Sequence, residues 1–195
     1  MRRLVLLRHA RTAAVRGAAF PVEGEPLDAA GEADARVAAP GVAAAGWARD
    51  GVACSPLARA RRTAELLGLS GAVTDVALRE ADFGSWAGRS LEEVSATEPD
   101  VVAAWMGDAD AAPHGGESLR VLLGRVGDWL DRQASHDGRL LAVTHGGVIK
   151  AAVVHALEAP IEAFWRVDIA PLHAVELHGW DARWTVAGMN VPVGT

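Results

Sequence analysis

The residue types best suited to chemistry in this chain are an arginine-histidine pair, Arg8-His9, a second arginine, Arg59, a glutamate, Glu80, and a second histidine, His145. Arg8-His9, Glu80 and His145 each follow an apolar run, and Arg59 lies just beyond another. Open α/β sheets place their ligands outside the carboxyl ends of such strands. Imidazole is neutral and nucleophilic near pH 7, so His9 can take up a transferred group covalently. Guanidinium matches phosphate oxygens two at a time and stays charged, which suits Arg8 and Arg59 to clamp that group. Glu80 can give a proton to a leaving oxygen and later take one from water. His145, when protonated, adds another donor, and Gly146-Gly147 let the backbone approach an anion closely. Together these residues point to metal-free transfer of a phosphoryl group through a histidine.

Each residue also has a plainer reading. A histidine at a strand end is often only hydrogen-bonded there, and Glu80 could be an exposed loop carboxylate with Asp82 competing for its role. Arg62 reads as a surface or ion-pairing residue, and Arg2, Arg3 and Arg61 as solvated ones. Glu117 could hydrogen-bond a site histidine, although a carboxylate is favoured at a helix N-terminus for its own sake. Of the seven tryptophans, Trp86, beside the proposed acid, is the one placed near a ligand; the others read as packing residues.

The elements that must position these residues alternate between strand and helix. Leu4 to Leu7 is a continuous apolar run, as expected of a central strand covered on both faces. Residues 13–27, with Gly17, Pro21, Gly24 and Pro26, read as a loop over the sheet's carboxyl edge. Asp28 caps a helix to about Ala39, which Pro40-Gly41 stops. Gly51 to Cys54 is a strand, and Ser55-Pro56 supplies an N-cap with proline at the first helical position, opening a helix through Leu67. Val73 to Ala77 reads as a short strand.

Ser90 with Glu93 forms a capping box for one helix, and Pro99 opens another through Met106. Ser118 to Gln133 is amphipathic, with Leu119, Leu122, Leu123, Val126, Trp129 and Leu130 on one side. Arg139 to Thr144 is a strand, Gly146 to Ala156 a helix, and Ala174–Leu177 and Trp184–Ala187 form a hairpin about Gly179. The alternation predicts a three-layer α/β/α fold with a doubly wound, mostly parallel sheet. It forms one domain over residues 1–195, with a small cap-like segment at about 85–116.

A net charge of −6 argues against a nucleic-acid partner, which would call for surplus basic charge. No stretch approaches the roughly 18 apolar residues of a membrane span, and the run after Met1-Arg-Arg is too short for a signal peptide. The single cysteine, Cys54, excludes an intramolecular disulfide and fits a reducing compartment, so a cytoplasmic protein is expected. A homodimer stays open. There is no G-x-x-x-x-G-K-[ST], C-x-x-C or H-E-x-x-H signature, and His114, His136, His155, His173 and His178 form no metal-ligand pattern with Cys54. No cofactor is expected.

Four motifs in this order resemble the histidine phosphatase superfamily, especially its phosphoglycerate-mutase-like branch, from Leu4 to about Ile149. The resemblance implies that His9 becomes phosphorylated beside Arg8. Ser55 to Ala64 matches a Ser-x-x-x-Arg-x-x-x-Thr-Ala motif, making Arg59 the second phosphate arginine. Leu78 to Gly84 matches Leu-x-Glu-x-x-x-Gly, which puts Glu80 ahead of Asp82 as the acid. His145 to Gly147 matches the late His-Gly-Gly. Thr12 is kept, but Ala10-Arg11 replace the usual Gly-Glu and Val15 an asparagine. One polar contact to phosphate is thereby lost, and Arg11 becomes a candidate to supply charge instead.

Mutases of the family carry a longer, basic insertion after the acid. Residues 85–116 are short and acidic here, with Glu92, Glu93, Glu98, Asp100, Asp108 and Asp110. The resemblance therefore favours a phosphatase for a small phosphorylated metabolite, such as α-ribazole phosphate or a sugar phosphate. A phosphoglycerate-type mutase is the alternative. A non-catalytic module binding phosphorylated ligands is the alternative of another class, against which the presence of both His9 and Glu80 argues.

Overall fold

The computed structural model describes residues 1–181 and 183–193. Strand β1 (Arg2–Arg8) lies inside the sheet because its leucines and valine bury on both sides. Leu4 and Leu6 enter one apolar cluster and Val5 and Leu7 another, the period of two expected of a strand. Fully buried side chains of this size contribute about 1.5–3 kcal/mol each. β1 runs parallel to β4 (Gly138–Thr144), with Arg8 opposite Thr144, and antiparallel to β5 (His173–Trp180), with Leu6 opposite Val175.

The six-stranded sheet has the order β3-β2-β4-β1-β5-β6, where β2 is Val52–Cys54, β3 Val73–Thr74 and β6 Arg183–Pro192. Four strands are parallel, and the β5–β6 hairpin adds an antiparallel edge. Helices α2 (Ala29–Ala45) and α3 (Ala58–Leu66) cover one face through Ala35, Val42 and Ala60. On the other face, α6 (Leu119–Ala134) and α7 (Gly146–Ala156) contribute Leu122, Trp129, Ile149 and Val153. The mixed, mostly parallel three-layer architecture is the one the strand-helix alternation predicts. A smaller cluster of Phe20, Trp86, Val94 and Val102 lies beneath α4 (Leu91–Thr97) and α5 (Pro99–Gly107). No described helix is long and apolar enough to cross a membrane.

Several local expectations are corrected. Pro40 does not stop α2, which runs on to Ala45 and ends at Gly46 in the left-handed region. Interior proline costs about 3 kcal/mol, but Ala38 and Val42 on either side of it are buried and hold the helix together. Helix α3 begins at Ala58 with Leu57 at its N-cap; the Ser55 hydroxyl accepts from Leu57 N–H at 3.3 Å and also meets His145. The 13–27 segment contains one helical turn, α1 (Ala13–Arg16), and β3 stops at Thr74 before a 3₁₀ turn over Val76–Leu78. Gly179 lies inside β5, where a Cβ would press on the Trp184 ring at 2.9 Å. Arg2 is buried rather than solvated, donating to Asp137 O at 2.9 Å and Gln133 Oε1 at 3.1 Å.

Candidate active site

Three strand ends converge on His9. His9 N–H donates to Thr144 O at 2.9 Å and Ser55 N–H donates to Val143 O at 2.9 Å, fixing the turns after β1 and β2 against β4. His9 Nδ1 lies 2.7 Å from Ala10 O. A carbonyl only accepts, so the ring proton sits on Nδ1 and the lone pair on Nε2. The His145 ring meets His9 edge to face, with centroids 5.0 Å apart. Its Nε2 lies 2.7 Å from Ser55 Oγ. That oxygen also accepts from Leu57 N–H; where the hydroxyl gives its own proton to Nε2, the His145 proton sits on Nδ1.

Burial pushes the His9 pKa down to about 3, helped by Arg59 and Arg8 and opposed by the Ala10 hydrogen bond. His145 is pushed well below its ordinary value by burial, then by His9 and the arginines. Both imidazoles are therefore neutral at working pH, which suits a nucleophile. For His145 this corrects the picture of a protonated donor: a neutral ring donates through one N–H. Arg8 Nη1 donates to Ile169 O at 2.5 Å and Arg59 Nη1 to Val22 O at 3.1 Å. Arg8 Nε, Arg59 Nε and His145 Nδ1 are buried nitrogens with no partner among the described residues. Unpaired buried donors are uncommon and costly; three of them around one imidazole suit an oxyanion.

Glu80 is held from two sides. Ala81 N–H donates to Oε1 at 3.0 Å, and Gly147 N–H, in the first turn of α7, donates to Oε2 at 3.2 Å. Any Cβ on Gly147 would overlap Oε1. Glu80 and Arg8 line a cavity of about 440 Å³ with Gly146, Gly147, Phe83, Trp105 and Trp165. Asp82 is exposed and spends Oδ1 on Gly84 N–H at 2.9 Å. It faces a more open depression on the other side of Glu80, together with Asp110 and Glu117.

Four sequence candidates sit differently from expectation. Arg11 is half exposed and turns away to Asp34 at 2.6 Å, because α2 presents that carboxylate beside it. Thr12 is buried, its hydroxyl capping α1 by accepting from Val15 N–H. Trp86 is buried behind the cavity wall, against Phe20, Trp105 and His114, with Nε1 donating to Glu98. Glu117 lines the cavity, but its carboxylate is bonded to Arg125 at 2.7 and 2.8 Å rather than to a site histidine, and Arg125 also donates to Ala77 O. Arg62 is the ion-pairing surface residue expected, bonded to Glu32 at 2.8 Å.

Three hydroxyls that hold the site have no part in it assigned from the sequence, where Ser55 reads only as a helix cap. Thr63 Oγ1 accepts from Ala10 N–H at 3.0 Å and donates to Arg59 O at 2.7 Å, joining the nucleophile's turn to the arginine's helix. Thr144 Oγ1 donates to Leu78 O at 2.8 Å, tying β4 to the segment that carries Glu80. Ser55 orients His145. Position inside a motif or at the end of an apolar run was the signal available for them. Cys54, ending β2, is buried, and burial raises its thiol pKa to about 12. Among the described residues no group of three or more His, Cys, Asp or Glu side chains is placed to hold a metal ion.

Residues 4–192 match the model of the histidine phosphatase superfamily (branch 1). The chain is 34% identical over 188 residues to the bifunctional protein Rv2228c of Mycobacterium tuberculosis, covering 90% of this chain but only 50% of that protein. It thus spans about half the length of several curated relatives it matches. It is 31% identical to the adenosylcobalamin/alpha-ribazole phosphatase of Escherichia coli over 66% of this chain and 68% of that one. The structure of a mycobacterial glucosyl-3-phosphoglycerate phosphatase in complex with VO3 superposes with a TM-score of 0.83 at 28% identity, covering 98% of this chain and 100% of that one. With the family model spanning nearly every residue, the chain belongs to branch 1 of the histidine phosphatase superfamily.

Proposed function

We propose that this protein is a phosphomonoesterase that works through a phosphohistidine on His9. The observation that carries the reading is the fixed, neutral His9 ring, with its lone pair on Nε2 among the unpaired donors of Arg8, Arg59 and His145. The arginines and His145 Nδ1–H hold the phosphoryl oxygens. As the Nε2–P bond forms, the P–O bond to the alcohol breaks, and the leaving oxygen takes a proton from Glu80. In the second half, Glu80 takes a proton from water, the water oxygen attacks phosphorus, and the N–P bond breaks to free phosphate and His9.

A small phosphorylated metabolite is the substrate class, a reading supported by relatives named as glucosyl-3-phosphoglycerate and α-ribazole phosphatases. Residues 85–116 act as a cap over one wall of the site, and the buried lone cysteine suits a reducing, cytoplasmic setting. The test is phosphate release from a set of phosphomonoesters, paired with rapid quenching in alkaline denaturant to preserve an acid-labile phosphoprotein. Wild type should show both, and His9→Ala neither. Undiminished turnover by His9→Ala would overturn the reading. Transfer of the phosphoryl group mainly to a second substrate hydroxyl would identify a mutase.

A further inference from the structure

Beyond Arg8 and Glu80, one wall of this cavity is aromatic. Phe20, Phe83, Trp105, Phe164 and Trp165 line it. Trp105 and Trp165 meet edge to face at 4.8 Å, and Phe164 meets Trp165 at 5.1 Å. Trp105, Trp165 and Phe83 are only partly buried, so their ring surfaces border the cavity rather than filling the core. Lys150, the only lysine in the chain, lines the same wall with its ammonium 5.5 Å from the Phe164 ring centroid.

From this juxtaposition, and resting on the phosphomonoesterase reading, we infer that the leaving alcohol of the substrate carries an aromatic ring, seated against Trp105 and Trp165 while its phosphate lies on Arg8, Arg59 and His9. Two considerations favour an aromatic group over a polyhydroxylated one. Aromatic walls reward ring faces and edges with more than area alone. A cation beside the stack favours an electron-rich π face. The volume of about 440 Å³ also falls within the range of about 300–1,000 Å³ used for ring-bearing ligands, and a phosphate with a two- or three-carbon alcohol leaves much of it unfilled.

The test uses leaving groups of matched basicity, so that binding is separated from leaving-group ability. The value of kcat/KM for 2-phenylethyl phosphate should exceed that for ethyl phosphate and for glycerol phosphate by about tenfold to a hundredfold. Trp165→Leu, which keeps an apolar side chain without the indole face, should reduce the phenylethyl-to-ethyl ratio at least threefold. Calorimetry with the non-hydrolysable 2-phenylethylphosphonate and ethylphosphonate reads the same preference without turnover, and does not depend on a variant folding. Equal affinity for the two phosphonates, or a kcat/KM for glycerol phosphate equal to that of the phenylethyl ester, would overturn the inference. Absence of phosphate release from every ester, with the phosphonate preference intact, would instead remove the phosphomonoesterase reading and leave the aromatic site standing.

Discussion

Gly147 and Glu80 are fitted to each other: the Gly147 N–H donates to Glu80 Oε2 at 3.2 Å, and the space a Cβ on Gly147 would need is occupied by Oε1. The proposed acid is thus held by the helix that follows the second site histidine. Gly147→Ala should displace the carboxyl group at a cost in stability of about 1–3 kcal/mol. It should lower kcat/KM for an alkyl phosphate about 100-fold, within the range that a positioned acid contributes. Thermal unfolding and steady-state kinetics on the same preparation check both. A stable variant of unchanged activity would mean that this contact does not position the acid.

Glu80 should matter in proportion to the basicity of the leaving group. Glu80→Gln should slow the single-turnover phosphorylation step by about 10²- to 10⁴-fold with an alkyl phosphate, and far less with nitrophenyl phosphate. Water still needs a base in the second step, so nitrophenol should appear as a burst followed by slow turnover. Equal losses on both substrates would assign Glu80 a structural role.

Ser55 should act on catalysis through the tautomer of His145. Removing its hydroxyl would free His145 Nε2 to carry the ring proton, so the Nδ1–H proposed to face the oxyanion would no longer be enforced. Ser55→Ala should lower kcat/KM by about tenfold, the scale of one hydrogen bond. Nitrogen-15 spectra should show His145 protonated on Nδ1 in wild type and as a mixture in the variant, a change that loss of packing alone would not produce.

Acid should weaken the ligand-free fold through its buried histidines. The folded pKa of His9, about 3, lies below the unfolded value of 6.5, so below pH 6.5 the unfolded chain binds a proton that the folded chain refuses. Stability therefore falls as pH drops from 6.5 towards 3, with a slope approaching about 1.4 kcal/mol per pH unit for this group. His145, shifted in the same direction, steepens the loss. His9→Asn should flatten the curve of unfolding free energy against pH between about 6 and 4.5 in urea titrations. An unchanged slope would show that His9 takes up a proton in the folded state.

The charge proposed to face the phosphoryl oxygens is that of Arg8 and Arg59, both held by backbone carbonyls. Turnover should accordingly persist in a chelator, and vanadate should inhibit competitively with substrate. Activity lost in chelator and restored only by a divalent metal would contradict this mechanism.

The sequence showed the site most clearly where chemistry coincides with a strand end. Arg8, His9 and His145 follow apolar runs that can only be sheet interior, so their neighbourhood was readable from period and position. Arg59 and Glu80 rested on motif spacing, because neither the short β2 nor the brief β3 announces where the next residues turn. Trp86, Arg11 and Glu117 were placed by nearness along the chain. Space assigned them otherwise: Asp34 and Arg125 offer opposite charges, and Phe20 with Trp105 offers a better-packed home for an indole. Pro40 failed as a stop because burial of Ala38 and Val42 outweighs the local preference, a balance that no window of sequence contains.

Cys54 adds a property of a different kind. Its thiol stays protonated at any working pH, and the thiolate is the form that peroxides and alkylating agents attack. The group proposed to receive phosphate is a ring nitrogen, which those reagents do not consume as they consume a catalytic thiolate. A centre built on that nitrogen should therefore keep its activity in peroxide at concentrations that silence an enzyme relying on a thiolate.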